Sequence, residues 1–308
     1  KAERAGIPYI IIYMFEPSLI EYPDTSLRHL QFVYHSILAL NKTLESYNRI
    51  VEIFYGDAID VFKHLKEKFD IKTIFSFQES GTQTTWQRDK KVKSFCTQNQ
   101  ISWQESQRDG ILRGIKNRND WSKQWHREMH TSIIQNSYSV SQELKIEHSF
   151  LMPTKLKTEL NQYPKQYQPA GEQNAWRYLK SFTQKRGFNY QRHISKPTES
   201  RTACSRLSPY LAWGNLSIKQ AFQFIGTHPN GTKNDSAFSA MLTRLHWHCH
   251  FIQKFEVECS YETACINRGY ELLPHEKNEA FIKAWKTGIT GYPLIDACMR
   301  ELKHSGWI

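Results

Sequence analysis

The stretch SRLSPYLAWGNLS occupies residues 205–217 and carries the sharpest local signal in the chain. Ser208 followed by Pro209 is typical of a helix start, with serine at the N-cap and proline at the first helical position. Backbone N–H groups at that start, the hydroxyls of Ser205 and Ser208 and the guanidinium of Arg206 would converge on one spot. Helix starts attract anions and arginine binds phosphate in a bidentate manner, so the stretch indicates a phosphate site. A simple capped helix with a surface arginine is the alternative.

The chain on both sides of this stretch is helical from Pro169 onwards. Apolar spacing of three and four residues predicts helices at Glu172–Gly187, Ile218–Gly226, Ala237–Glu258, Glu279–Lys286 and Leu294–His304. Residues 107–168 are mixed and polar, which predicts a linker region with one or two helices. Trp121 and Trp125 lie four residues apart there, among basic residues. They indicate either a stacking platform for bases or, more commonly, a helix face packed on a neighbouring domain.

The first hundred residues alternate strand and helix patterns. Strands are predicted at Ile7–Phe15, Ile50–Tyr55, Lys72–Phe77 and Ile101–Gln104, with helices at Ser26–Tyr47, Asp57–Phe69 and Trp86–Gln98. This alternation predicts a parallel sheet covered by helices. Neither a Gly-x-Gly-x-x-Gly nor a P-loop pattern occurs, so the sheet lacks the common phosphate cradles. Residues 1–6 resemble the last turn of a helix, with Gly6 just past its end, and we expect an earlier strand and helix to precede them.

Composition restricts the function classes. The 308 residues include 41 Lys and Arg against 30 Asp and Glu, a net charge of +11. Such a field attracts polyanions, although an ordinary basic soluble protein has the same balance. The longest apolar run, Ile7–Phe15, is too short for the ~20 residues of a membrane span. Six cysteines without paired spacing indicate reduced thiols and a cytoplasmic protein.

Two motifs carry a family resemblance. Residues 205–217 resemble the diphosphate-binding segment of cryptochromes and DNA photolyases, where Thr-Ser-Arg-Leu-Ser leads into a short helix ending at glycine. The stretch AWKTGITGYPLIDACMREL at residues 284–302 is similar to the family signature A-W-x-x-G-x-T-G-Y-P-x-x-D-A-x-M-R-x-L, and continues into Gly-Trp-Ile at 306–308. Arg28, Tyr55-Gly56-Asp57 and Glu79 give a looser likeness to the family's antenna domain. The family's W-F-R-x-D-L-R motif is absent, which agrees with an expected truncation at the amino terminus.

The resemblance implies an α/β fold followed by an all-α fold. We expect a doubly wound parallel-sheet domain of the antenna type at 1–106, an interdomain linker with helices at 107–168 and a helical FAD-binding domain at 169–308. The family's FAD domain continues beyond this point. We therefore expect a truncated pocket and weak or absent flavin occupancy in this chain by itself.

The resemblance also implies site residues. FAD is expected as cofactor, with a second antenna chromophore of unknown identity. The residues implied beside the flavin are Tyr190, Cys204, Ser205, Arg206, Leu207, Ser208, Met241, Arg244, His248 and Phe251. The residues implied beside damaged, double-stranded DNA are Arg192, Arg244, Trp247 and His248. Trp247 matches a tryptophan that stacks on the flipped-out lesion in repair enzymes and is the implied catalytic residue.

Three departures from the family pattern bear on repair. Cys204 replaces the usual threonine and loses a strong hydroxyl donor. Arg244 stands where repair enzymes carry a glutamate that hydrogen-bonds the lesion, which reverses the charge. His275 stands where the outermost tryptophan of the electron-supply chain is expected, with Tyr270 nearby as a different relay.

The histidines of the stretch LHWHCHF at residues 245–251 need their own interpretation. His246 and His250 share a helix face, as a metal pair would, but no third ligand is evident and no metal is expected. A polar wall against flavin or DNA is the favoured interpretation, with His248 as the group that titrates near neutrality.

Three functions follow from these patterns. The first is a monomeric blue-light photolyase that splits pyrimidine photoproducts by electron transfer. The second is a cryptochrome-like light sensor without repair. The third is a flavin-free remnant that binds nucleic acid through its basic face. No membrane partner is expected.

Overall fold

The sheet half of the protein contains parallel strands, as predicted. The computed structural model describes residues 1–141, 146–231, 233 and 235–307. The strands are β1 (Ile11–Phe15), β2 (Val51–Tyr55), β3 (Thr73–Phe77) and β4 (Ser102–Ser106). β1 pairs with β2 and β3 pairs with β4, both in parallel. β1 begins later than the predicted Ile7, after Pro8, which has no N–H to donate to a neighbouring strand.

Helices cover both faces of these strands. They are α1 (Pro17–Ile20), α2 (Leu27–Leu44), α3 (Ala58–Lys68) and α4 (Gln83–Gln98). On one face α2 packs Val33 and Ile37 against Phe15 of β1. On the other face α3 and α4 enclose Phe54, which is fully buried. The fold class predicted for this half is confirmed.

A buried ion pair lies where β1 ends. The Glu16 carboxylate is 6% exposed and accepts hydrogen bonds from the Ala58 N–H at 3.1 Å and from Arg88 Nη1 at 2.9 Å. Arg88 also binds Glu79 and Asp89, at 2.7 and 2.8 Å. The ends of β1 and β3 and the helix α4 are therefore joined by one guanidinium.

The rest of the chain is helical. The helices are α5 (Trp121–Met129), α6 (Thr154–Asn161), α7 (Glu172–Ser181), α8 (Tyr190–His193), α9 (Pro197–Ala203), α10 (Ser208–Ala212), α11 (Ile218–Gly226), α12 (Asp235–Val257), α13 (Glu279–Thr287) and α14 (Pro293–Ser305). The predicted helix Glu172–Gly187 changes after Ser181 into a π-helical turn, Phe182–Arg186. That wider turn places the buried Phe182 ring against Gly187, where a side chain would collide with it.

One core joins the linker to the helical half. Trp121 and Trp125 of α5 are 2% and 0% exposed and pack with residues of α7, α11 and α12. Their burial confirms the packed helix face and contradicts the stacking platform for bases. Gln253 of α12 clamps the linker backbone, since its amide accepts from the Leu112 N–H and donates to the Leu112 carbonyl. Among the described residues, none of the helices has the length and apolarity that crossing a bilayer demands.

Candidate functional site

The turn at residues 204–207 is built by an arginine that the sequence analysis did not single out. Arg186 donates hydrogen bonds to the carbonyl groups of Tyr178, Thr202 and Cys204 at 3.0, 2.8 and 2.6 Å. It also donates to the Ser205 carbonyl at 3.3 Å. Because these carbonyls come from separate segments, only the tertiary structure identifies the role of Arg186.

The start of α10 differs from the predicted cap. Leu207 occupies the N-cap position without a side-chain cap bond, so Ser208 is the first helical residue and Pro209 the second. Ser208 is exposed, Leu207 is fully buried, and the Ser205 hydroxyl accepts from the Leu207 N–H at 3.4 Å. The helix has five residues, and its aligned dipoles are too few to attract an anion strongly. The phosphate expectation therefore rests on side chains, above all on Arg206.

Arg206 contacts Trp307, which lies in the continuation of the motif at residues 284–302. Its backbone is in the left-handed region, with φ of 64°, and its guanidinium carbon lies 4.5 Å from the centroid of the Trp307 ring. Its Nε donates to the Gln168 amide oxygen at 3.4 Å. The charge of Glu301 acts on this half-buried guanidinium, but Glu301 forms its salt bridge with Arg201, at 2.7 Å. Burial lowers the pKa of Arg206, and a bound anion would relieve that cost.

The sequence pattern of residues 284–302 is explained by the corner between helices α13 and α14. The Asp296 carboxylate accepts from both the N–H and the hydroxyl of Thr290, at 2.7 Å each, and from the Gly291 N–H at 3.1 Å. Gly288 and Gly291 have φ of 70° and 86°, which residues with a Cβ rarely adopt. The glycines, threonine and aspartate thus fix how α13 turns into α14, and α14 delivers Trp307 to Arg206. Ile308 lies outside the described residues.

Tyr190 connects the turn to α12. It begins α8, which packs on α12, and it is 5% exposed with its ring 5.5 Å from that of Phe182. Burial raises the pKa of the Tyr190 phenol to about 12, with a further rise from Cys204 and an opposing effect from Arg244. Tyr190 is thus influenced by a charge of the turn and by one of α12. Arg192, two residues further along α8, is exposed.

α12 presents three of the predicted residues on one exposed face. The Arg244 guanidinium lies 4.8 Å from the Trp247 ring centroid, and the Phe251 ring meets Trp247 edge-on at 6.4 Å. Trp247 and Phe251 are 47% and 60% exposed. We call Arg244, Trp247 and Phe251 the Trp247 face. Met241, also predicted beside the flavin, is 4% exposed and packs in the helical core.

His248 follows Trp247 on α12 but is less exposed. It is half-buried, and burial lowers its pKa, with Asp109 raising it and Arg108 lowering it further. The shift moves its titration away from neutrality, against the expectation from sequence. Arg108 also donates to the carbonyls of Leu211 and Ala212 at 2.7 and 2.8 Å, so this loop joins the end of α10 to α12.

In the described part of the chain, no group of three or more histidine, cysteine or acidic side chains is placed to hold an ion. His246 and His250 instead line a cavity on the flank of α12, next to the Trp247 face. His250 contacts Phe251, with ring centroids 5.4 Å apart.

Two family models match the chain. The model for DNA photolyase matches residues 1–115, and the model for the FAD binding domain of DNA photolyase matches residues 241–308. The second range contains the Trp247 face, the α13–α14 corner and Trp307.

Curated relatives agree with these models. A deoxyribodipyrimidine photo-lyase of Buchnera aphidicola is 24% identical over 322 residues, covering 97% of this chain and 65% of the relative. A deoxyribodipyrimidine photo-lyase of Alkalihalophilus pseudofirmus is 31% identical over 140 residues, covering 45% of this chain and 28% of the relative. Cryptochrome-2 of Arabidopsis thaliana is 30% identical over 146 residues, or 45% of this chain and 23% of the relative. The chain thus spans less than two thirds of each of these proteins.

Solved structures share the fold. An archaeal photolyase from Sulfolobus tokodaii, described with two FAD molecules, has a TM-score of 0.77 at 22% identity and covers 100% of this chain and 67% of its own. A cryptochrome of Synechocystis has a TM-score of 0.77 at 19% identity and covers 100% of this chain and 68% of its own. The matches extend over the sheet half and the helical half alike, and the chain belongs to the cryptochrome and DNA photolyase family.

Proposed function

We propose that the helical half of this protein takes part in binding FAD, and that the protein splits pyrimidine photoproducts in DNA under blue light by electron transfer. The observation that carries the proposal is the contact between Arg206 and Trp307. It brings two motifs a hundred residues apart to one place.

The residues around Arg206 fit the diphosphate of such a cofactor. The guanidinium lies over the Trp307 ring, and its remaining N–H groups would bind phosphate oxygens. The Ser205 hydroxyl accepts from a backbone N–H, so its own proton is available to donate. Cys204 is a weaker donor than the threonine it replaces, and its contribution would be small. Arg206 and the hydroxyls of Ser205 and Ser208 would hold the phosphates.

The cofactor supplies the photochemistry when bound, as an excited reduced flavin donates the electron that splits the lesion. The chain's own residues bind and position the DNA. Trp247 offers an exposed ring on which an extruded base would stack, a contact worth about 1–3 kcal/mol per base. Arg244 places a positive charge over the same ring, where it would draw the DNA backbone by its phosphates.

The test is repair itself. The full-length protein is incubated with DNA containing cyclobutane thymine dimers, under blue light and in darkness, and restored thymine is measured. The proposal expects flavin absorbance in the purified protein and thymine restored only in the light. Bound, reduced flavin without restored thymine would eliminate repair of this lesion.

A light sensor without repair is the second candidate, and Arg244 favours it. Repair enzymes resembling this region carry a glutamate at that position, and the exposed guanidinium cannot accept a hydrogen bond from a lesion base. A sensor would show light-driven flavin reduction and a conformational change in the absence of thymine restoration. The same illuminated sample therefore distinguishes the two functions.

A second chromophore also belongs to the proposal. The structural relative from Sulfolobus tokodaii is described with a second FAD as a light-harvesting cofactor. In this chain, a cavity of about 560 Å³ lies between α4 and the end of α12 and is lined by the indoles of Trp86 and Trp103. Lys90 lies 3.3 Å from the Trp86 ring centroid. We place the second chromophore here, and an action spectrum with a band absent from that of free flavin would support it.

A further inference from the structure

A second cavity lies beside the Trp247 face, on the flank of α12. It measures about 570 Å³ and is bounded by residues 116–122 of the linker and by the α12 flank. The side chains that matter most are Lys116, Arg118, Trp121, His246, His250 and Lys254.

Its charged lining is mostly cationic. Lys116, Arg118 and Lys254 face one carboxylate, that of Glu258. Glu258 is exposed and accepts a hydrogen bond from the Tyr261 hydroxyl at 2.8 Å. The cavity is therefore a concentrated positive field with little internal compensation.

Arg118 and His250 form its centre. Arg118 Nη1 lies 3.1 Å from His250 Nε2 and 3.3 Å from His250 Nδ1, so the guanidinium is held against the imidazole ring. Lys254 lies one turn further along α12. Burial, Arg118 and Lys254 all lower the pKa of His250. A guanidinium held against an imidazole is poorly satisfied, and an oxyanion would replace that contact with a stronger one.

His246 continues the row of histidines in this cavity from His250 towards α5. Its ring stacks on that of His126 at 5.5 Å and lies 5.2 Å from the Trp121 ring. The Ser122 hydroxyl lies 3.2 Å from its Nε2. Burial, His126 and His250 lower the pKa of His246. No carboxylate is among the groups that shift either histidine.

We propose that this cavity binds a phosphate group of the DNA backbone, next to the base that would stack on Trp247. This rests on the proposed function for the choice of DNA. Arg118 and Lys254 supply the charge, and His250 joins the cavity to the Trp247 face through its contact with Phe251. A strand whose base stacks on Trp247 would pass this flank, because His250 and Phe251 are neighbours on α12.

Binding by this cavity depends on pH. A phosphate adjacent to His246 and His250 favours their protonated forms, so its presence raises both pKa values. Phosphate affinity accordingly rises as pH falls through the histidine pKa values of the phosphate-bound protein, and the rise is complete below the lowered pKa values of the free protein. The arginine and lysines stay charged throughout and provide the part of the affinity that does not depend on pH.

The test uses undamaged DNA and needs neither flavin nor light. A fluorescein-labelled oligothymidylate is titrated with the purified protein and with R118Q, R118K and the double variant H246Q/H250Q, and anisotropy is followed against salt and pH. K63Q is the matched control, since Lys63 is an exposed cation on α3 of the sheet half. R118Q is expected to weaken binding and to reduce the salt slope by about one. R118K is expected to keep the slope, and the histidine variant to lose the rise in affinity at low pH.

A local measurement places the ligand. Imidazole resonances of His246 and His250 are followed against pH with and without inorganic phosphate, which is expected to raise both pKa values. Unchanged histidine titrations, or an R118Q salt slope equal to that of K63Q, would overturn the proposal. Thymidine 5′-monophosphate binding as tightly as the oligonucleotide would assign the site to a free nucleotide and overturn the backbone assignment. The probe is undamaged DNA, so these results can be interpreted whether or not the protein repairs lesions.

Discussion

The guanidinium carbon of Arg206 lies 4.5 Å from the centroid of the Trp307 ring. One residue belongs to the turn before α10 and the other follows α14, so a single stacked contact joins the two motifs. The resemblance assigns both motifs to one domain, but no local pattern pairs Arg206 with Trp307. The corner held by Asp296 is what carries Trp307 to this position.

Replacing Trp307 by alanine should remove the platform under Arg206. A cation–π contact of this kind contributes about 0.5–2 kcal/mol, depending on its desolvation. We expect a fall of that size in the free energy of unfolding and weaker flavin retention, measured by urea titration and by absorbance after gel filtration. W307F should recover most of both. W213A, at an exposed indole beyond α10, is the control, and an equal flavin loss there would contradict a specific role for Trp307.

Replacing Asp296 should loosen the α13–α14 corner. Hydrogen bonds from Thr290 and Gly291 lower the pKa of this carboxylate, so its stabilising effect is present above its unfolded value of 3.8 and is lost as pH falls below it. D296A should lower Tm by several degrees at neutral pH, and D296N by less, since an amide oxygen can still accept from Thr290. Differential scanning calorimetry at neutral pH and near pH 3 measures both. A Tm equal to the wild type would show that the corner holds without the carboxylate.

Glu3 should control stability in acid. Hydrogen bonds from Ser139 and Tyr9, and the charge of Arg49, lower its pKa from 4.5 to about 2. Since the folded pKa is the lower one, the contribution is complete above pH 4.5 and is lost progressively as pH falls towards 2. E3Q should therefore reduce stability at neutral pH and flatten the acid dependence in urea titrations across that window. If the free energy of unfolding falls equally with pH in E3Q and in the wild type, Glu3 does not control stability in acid.

Arg88 should be more important to stability than any surface ion pair. Its removal leaves the Glu16 carboxylate 6% exposed without a cation, a change that typically costs about 3–5 kcal/mol. R88M should approach that loss in urea titrations, and E16Q/R88M should recover part of it because no charge remains buried. The exposed pair Arg268–Glu271 provides the comparison, as R268M should cost about 0–1 kcal/mol. If R88M and R268M lower the free energy of unfolding equally, water screens the ion pair between Glu16 and Arg88.

Periodicity and turn residues predicted the elements because these depend on local chemistry. The helix Ile218–Gly226 was predicted with its observed bounds, and its Ser217 N-cap forms a capping box with Gln220. The change after Ser181 was missed because the π turn follows from packing of Phe182 beneath Gly187, which is a tertiary effect. The cap at Ser208 was displaced by one residue because burial of Leu207 decides the start of α10.

The sequence predicts which candidate residues lie together only where one helix carries them. Arg244, Trp247 and Phe251 share a face of α12 because their spacing of three and four residues fixes it. Arg186 and Arg118 act on groups far along the chain, and no local pattern distinguishes them from surface arginines. Met241 shows the reverse case, since its spacing allows the exposed face but its burial assigns it to the core.

The charge at position 244 should determine how tightly the Trp247 face binds undamaged DNA. Arg244 is exposed above the Trp247 ring, so R244E removes the stacked cation and places a carboxylate near the approaching phosphates. Affinity for undamaged oligothymidylate should fall and the salt slope should drop by about one, while R244K should keep the slope. Tryptophan fluorescence should change in R244E as the guanidinium leaves the Trp247 ring. If lesion recognition needs an acceptor here, R244E should also raise the ratio of affinities for dimer-containing over undamaged DNA. A ratio that stays constant, with both affinities reduced equally, would limit Arg244 to backbone attraction and leave lesion reading to Trp247 and Phe251.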